Sequence, residues 1–428
     1  MTDLKQMLTE HIGEKRDYYP LNQSQIGIYY YCKNHPGSVA YNLPSICELP
    51  KQKVALSRLS AAIKIALNNH VAFRCKIVER SSGPVWVLTD RSFDDFEIPV
   101  EKVSEEALTE IKNRYAKPFD LFGDLLFRIN IYETEKNYSI ISDFHHLIYD
   151  GSSCRIWFQD IAAAYYNGTV EAEEVTMLDF CAYDDAYQKS QAEMDAISYY
   201  RDVFQGAKPR TSIPADLEEN DLPGDGYCVY CFDKRIDFSK VSAVCNGRVG
   251  AFFVGAFAYA AAKYTGTGDA VVYTGNHGRM DERLRHSVGM FVRMLPVYVT
   301  IDESFSLTDY LSQVQERLYG GIKHGKCAFA ALMQEHKLSI DLSILYQGDF
   351  FNHVPFGDID CPWEALPLHG MDDDFVIMVF KEKEHFKLKV EYRKDKYKLQ
   401  TVHEFLRAYE ETVMTFIGET VSNEGGAV

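Results

Sequence analysis

Two adjacent histidines and an Asp-Gly pair four residues beyond the second form the segment of this sequence best suited to chemistry, Ser142-Asp143-Phe144-His145-His146-Leu147-Ile148-Tyr149-Asp150-Gly151. An imidazole, with a reference pKa of about 6.5, accepts a proton from an amine or hydroxyl at neutral pH, or positions a nucleophile by accepting its hydrogen bond. The segment follows the apolar run YSIISDF (138–144), which predicts a strand, and precedes a helical pattern over 152–166. A strand end holds a side chain rigidly while leaving it open to a cleft. Successive side chains of a strand point to opposite faces, so one of the two histidines faces any given cavity. We expect His146 to be directed at substrate and His145 to be fixed inward by packing. Asp150 is placed either to bond an imidazole nitrogen or to pair with an arginine that fixes the loop, and Gly151 would permit a tight turn into the helix. The Gly-x-Ser-x-Gly elbow of serine acyl-enzymes is missing, which favours direct transfer between two bound substrates. A lone histidine is more often a satisfied core residue. Four fixed positions in so short a window, however, arise by chance in about one chain of this length in several hundred, which favours catalysis.

The elements that must position these residues belong to a chain of 428 residues, long enough for two domains or lobes. It is 46% hydrophobic and 25% charged, with 45 Lys and Arg against 62 Asp and Glu, a net charge of −17. Such a balance argues against nucleic-acid or anionic-membrane binding, each of which needs a basic face. The sequence contains neither an apolar run long enough to span a bilayer nor an apolar N-terminal leader, and it reads as cytoplasmic. The ten cysteines are scattered, mostly in apolar settings where they act as small buried thiols. Cys228 and Cys231 share a predicted strand on opposite faces, and with no second pair to answer them we expect no metal.

Helices are predicted over 2–14, 52–69, 104–115, 152–166, 177–205, 251–266 and near the C-terminus at 402–417. Strands are predicted at 73–79 and 84–90 as a hairpin, then at 127–133, 138–144, 226–233, 270–275, 294–301, 342–347, 375–380 and 386–393. The Lys-rich surroundings of the last strand (381–398) read as a solvated sheet edge. The fold class is mixed α/β. Asn167–Glu174 is the best linker, dividing the chain into an N-terminal lobe at 1–173 and a C-terminal lobe at 174–428.

His145-His146-x-x-x-Asp150-Gly151 resembles the HHxxxDG signature of condensation domains of nonribosomal peptide synthetases, members of the chloramphenicol-acetyltransferase-like superfamily. The likeness extends over about residues 18–420. Tyr19-Pro20-Leu21-Asn22-Gln23-Ser24-Gln25 resembles the family's opening segment, and Asn69-His70-x-x-Phe73-Arg74 its second motif. Val288-Gly289-Met290-Phe291-Val292, followed by Leu295-Pro296, is similar to VGxFVNTLP, with Arg293 where the family usually has Asn and Met294 in place of the following Thr.

The resemblance implies two similar lobes in a V-shaped pseudo-dimer, with a tunnel between them whose mouths receive peptidyl or acyl carrier proteins. It implies no cofactor of the domain's own, substrates tethered by phosphopantetheine, and an adjacent adenylation domain. Carried over by position, His146 positions or deprotonates the acceptor α-amine, whose attack on a donor thioester yields an amide and a free thiol. Asp150 matches a structural position paired with an arginine, for which Arg279 is the candidate, as a buried clamp joining the two lobes' loops. Gly151 matches the turn, and His145 is matched by the motif with a structural role. His277-Gly278-Arg279 is similar to part of an epimerisation motif, but Gly275 stands where that motif has Glu, so epimerisation is the alternative. A non-catalytic docking platform is another. Met1, some eighteen residues before the first motif, suggests a starter domain that N-acylates the first amino acid from acyl-CoA or a separate acyl carrier. The tail NEGGAV suggests excision from a longer synthetase.

Overall fold

The computed structural model describes residues 2–418 except 124, 208–210, 218–224, 303, 305, 328, 340, 350–353, 362 and 367–373. Met1 and the tail at 423–428 therefore lie outside the described residues. The fold is mixed α/β, with several sheets of mixed strand direction. The chain divides into two compact units. The first contains residues 1–190, 277–293 and 351–369; the second contains 191–276, 294–350 and 370–428. The expected division at 173/174 lies upstream of this one, and the sequence pattern did not disclose the two later returns to the first unit.

The first unit is built on a five-stranded sheet in the order Trp363–Ala365, Asn42–Pro50, Asn137–His145, Phe127–Glu133, Val100–Lys102. Asn137–His145 is an interior strand, paired antiparallel on both sides, with Asn42 opposite His145 and Phe127 opposite Phe144. Helices Leu56–Asn69 and Gly151–Asn167 pack against each other. Aromatic contacts fasten the second of these to the sheet just below the His-His segment. Phe144 stacks on Tyr149 at 4.1 Å and meets Trp157 edge-on at 5.3 Å, while Phe73 packs against all three of Phe127, Phe144 and Trp157. Rings in such offset and edge-on arrangements add directional preference to area burial. A smaller sheet contains the predicted hairpin, Cys75–Arg80 with Gly83–Leu88, plus Tyr19–Pro20.

The second unit has a six-stranded sheet in the order Arg293–Thr300, Asp269–Asn276, Leu342–Gly348, Phe375–Glu382, His385–Arg393, Asp225–Cys231. Its core helix, Val249–Thr265, is buried on most sides, as its nearly uniform apolarity demands. Among the described residues, no single helix is long and apolar enough to cross a membrane.

Three sequence expectations need correction here, and one strand was not predicted. The helix expected over 177–205 is two, Met177–Tyr187 and Gln191–Val203. The Ser190 hydroxyl donates to Tyr187 O at the break, and the division between units falls there. His385–Arg393 is not a sheet edge, because Asp225–Cys231 pairs with its outer side; its lysines lie on the half-exposed face instead. Strand Asn42–Pro50 was not among the predicted strands, and it carries Pro44 and Pro50, residues that a strand tolerates only where no N–H is needed. It forms because the short neighbour on one side pairs with it over Ser45–Cys47 alone. Finally, Cys47 and Cys361 are joined as a disulfide rather than lying as separate thiols. Sequence spacing could not show this, since 314 residues separate them.

Candidate active site

Backbone bonds fix the end of strand Asn137–His145 residue by residue. The His145 N–H donates to Leu126 O at 2.8 Å and the His146 N–H to Tyr41 O at 2.8 Å, after which Ile148 N–H turns back to His145 O at 3.0 Å. The two imidazoles accordingly part. His145 is buried; its Nδ1 accepts the Leu147 N–H at 3.1 Å, and its Nε2 lies 3.5 Å from Cys32 Sγ. Burial pushes its pKa down to about 3, and neighbouring His146 and Arg128 act in the same direction. It is a neutral, fully engaged ring.

His146 is the exception in its neighbourhood. Of residues 139–150, all of them described, it alone is not buried. Its Nδ1 is nevertheless out of solvent and has no hydrogen-bond partner. Burial lowers the pKa of this imidazole, opposed by the Asp150 charge and by the nearby backbone of His146 and Tyr149. A neutral imidazole can accept a proton or a hydrogen bond at neutral pH.

Asp150 does not bond an imidazole. In extended conformation (φ −138°, ψ 178°), it is the N-cap of helix Gly151–Asn167, and one carboxylate oxygen accepts both the Ser153 N–H (2.8 Å) and the Ser153 hydroxyl (2.9 Å). The other oxygen accepts Arg279 Nη1 at 2.8 Å and the Phe291 N–H at 3.0 Å. Burial alone would raise the pKa of this carboxyl; Arg279 and the backbone donors hold it below the usual range. Gly151 makes no tight turn. It is already the first residue of the helix, and the chain turns earlier, at His146–Ile148, where the Ile148 N–H bonds His145 O.

Arg279 uses its whole donor fork. Besides Asp150, it donates to His277 O, to the Ser153 hydroxyl at 2.9 Å and to Ser287 O, and its guanidinium lies 4.5 Å over the Phe291 ring. The expected pair is present, but it does not join two lobes. Arg279 belongs to segment 277–293, which packs as part of the first unit, so the pair closes within that unit. Gly278 makes the approach possible. Its φ is +71°, and a Cβ there would stand 1.9 Å from Phe291 O.

Ser153 was missed by sequence reasoning. Its hydroxyl contacts Asp150, Arg279 and both Gly289 N and Gly289 O, linking the helix start to the 288–292 loop. The available signal was a serine three residues after an aspartate cap. Arg293, at the family's usual Asn position, is buried and paired with Asp184, whose other oxygen accepts the Gln23 N–H. Among the described residues, no cluster of His, Cys, Asp or Glu is arranged to hold a metal.

With this geometry in place, comparison with known proteins is informative. The family model described as Condensation domain matches residues 15–425. Bacitracin synthase 2 of Bacillus licheniformis is 25% identical over 375 residues, 86% of this chain but 14% of that protein. The chain thus spans about a seventh of that relative's length. Among solved structures, the X-domain from teicoplanin biosynthesis superposes with a TM-score of 0.81 at 16% identity, covering 95% of this chain and 96% of that one. The starter condensation domain of rhizomide synthetase gives 0.77 at 17%, covering 95% and 97%. At these identities the structural likeness establishes the fold, while the family model, matching nearly the whole chain, establishes the family. The chain belongs to the condensation-domain family of nonribosomal peptide synthetases.

Proposed function

We propose that this chain catalyses amide-bond formation between an acceptor amine and a donor acyl thioester, both presented on phosphopantetheine arms of carrier domains. The acceptor nitrogen forms the new N–C bond and the donor C–S bond breaks. The nitrogen gives up a proton, and the departing thiolate gains one. His146 is the catalytic residue, accepting that proton or holding the amine in attack geometry. Asp150, Arg279 and Gly151 serve the loop and helix around it, and His145 supports it from within. One observation carries the reading: His146 alone breaks the buried run 139–150. A docking platform has no use for such a ring.

The donor is proposed to extend to acyl-CoA, which would make this a starter domain acting with a downstream adenylation domain. Epimerisation is disfavoured by Gly275, which supplies no acid beside His277-Gly278-Arg279.

The test is single-turnover transfer of a mass-tagged acyl group, from acyl-CoA or an acyl carrier, to an aminoacyl carrier. His146→Ala should abolish the amide product with the fold retained by circular dichroism. Near-wild-type transfer by that variant would remove His146 from the chemistry. Deuterium appearing at the α-carbon of a peptidyl substrate in heavy water, without amide formation, would indicate epimerisation instead.

A further inference from the structure

We propose that Gln25 is a positioning residue for His146, fixing the backbone from which that ring projects. This rests on the reading of His146 given above. Gln25 is fully buried in the first turn of helix Gln23–Asn34, where it forms a capping box with Asn22. The Asn22 side chain accepts the Ser24 and Gln25 N–H groups at 3.0 and 3.1 Å, and Gln25 Oε1 accepts the Asn22 N–H at 2.9 Å. An ordinary capping box ends there.

Here the same amide reaches further. Oε1 also accepts Trp86 Nε1–H at 3.1 Å, and Nε2 donates to Leu147 O at 2.7 Å. Reversing the amide would set its nitrogen against two N–H donors and its oxygen against a carbonyl, so the surroundings dictate one orientation.

Leu147 directly follows His146. Its N–H is held by His145 Nδ1 and its carbonyl by Gln25, while the His146 N–H is held by Tyr41 O. The backbone is therefore pinned on both sides of the His146 Cα. The same helix start reaches the second loop of the site, because Asn22 Nδ2 donates to Met290 O at 2.9 Å, one residue before the Phe291 N–H that bonds Asp150. Loosening this hub would let the ring drift, and a displacement of an ångström at a reacting centre costs about 100-fold in rate.

Gln25→Met keeps the volume and removes the donor. We expect about a 100-fold fall in kcat with KM for the aminoacyl carrier unchanged. In histidine-labelled protein, the His146 ring resonance, identified by its loss in His146→Ala, should shift or broaden while that of exposed His385 stays in place. Gln25→Glu is the second variant. Its protonated carboxyl can still donate to Leu147 O, so kcat should be near wild type at about pH 6 and fall toward the Gln25→Met value by about pH 9, beyond any change in wild type, as the buried acid ionises. A Gln25→Met protein with wild-type kcat and an unmoved His146 resonance overturns the proposal. If that variant does not fold, a Gln25→Glu pH profile matching wild type overturns it. Full activity of His146→Ala would sink the catalytic reading alone, since the ring resonance still decides whether Gln25 holds His146.

Discussion

Asp150 and Arg279 lie 129 residues apart in sequence and 2.8 Å apart in space, both buried, with each carboxylate oxygen of Asp150 accepting two hydrogen bonds. The pair joins the start of helix Gly151–Asn167 to segment 277–293, and His146 sits one turn before that helix.

Asp150→Asn keeps the cap geometry but leaves the Arg279 charge buried and uncompensated. Losing one partner of a buried pair costs about 3 kcal/mol. Urea denaturation should show a loss of that size, together with reduced amide formation. Unchanged melting and rate would mean that the pair has neither role.

Gly278→Ala places a methyl group against Phe291 O at a backbone φ of +71°. The carbonyl is backbone and cannot rotate away, so Arg279 must shift. A destabilisation of about 2 kcal/mol or more is expected, with a rate loss exceeding that of an alanine at Gly83, where φ is also positive but nothing lies within 4 Å. Equal effects at the two glycines would separate the clash from the site.

His70 supplies a pH dependence of stability. Fully buried, it lies between Asp160 (2.7 Å from Nε2) and Glu173 (3.0 Å from Nδ1). Burial lowers its pKa, but the two carboxylates outweigh that and raise it to about 9. The native state therefore binds the proton more tightly than the unfolded chain, whose histidine titrates near 6.5. This stabilisation is complete below about pH 6.5 and is lost as pH rises through about 9. Urea titrations across that interval should show falling stability in wild type and a flatter profile in His70→Gln. A slope identical in both proteins would assign it to other groups.

The Cys47–Cys361 disulfide ties strand Ile359–Cys361 to the strand beside Asn137–His145. Closing a loop of 314 residues should constrain the unfolded chain. Cys361→Ser is expected to cost about 2–4 kcal/mol under oxidising conditions and nothing under reducing ones. Mass spectrometry after alkylation in denaturant should count eight labels before reduction and ten after it. Ten labels without reductant would show that the bond does not form in solution.

The sequence was sufficient for features set by local chemistry. The strand that ends at the His-His segment was legible as an apolar run, although His146 itself lies in the turn beyond it. The strand–loop–helix frame followed from periodicity, and the Asp150–Arg279 partnership from a family resemblance at named positions. Tertiary structure decided the rest. Segments 277–293 and 351–369 pack with the first unit although their chain neighbours belong to the second, and no local pattern encodes such returns. The role of Gly151 was misread because the chain turns at His146–Ile148, before the extended cap Asp150, and Gly151 is already helical. Ser153, Gln25 and the Cys47–Cys361 bond became visible once folding brought distant backbone groups and sulfurs within bonding range. Periodicity records which face of an element is buried; it does not record which remote element covers that face, and the fixing of His146 depends on that covering.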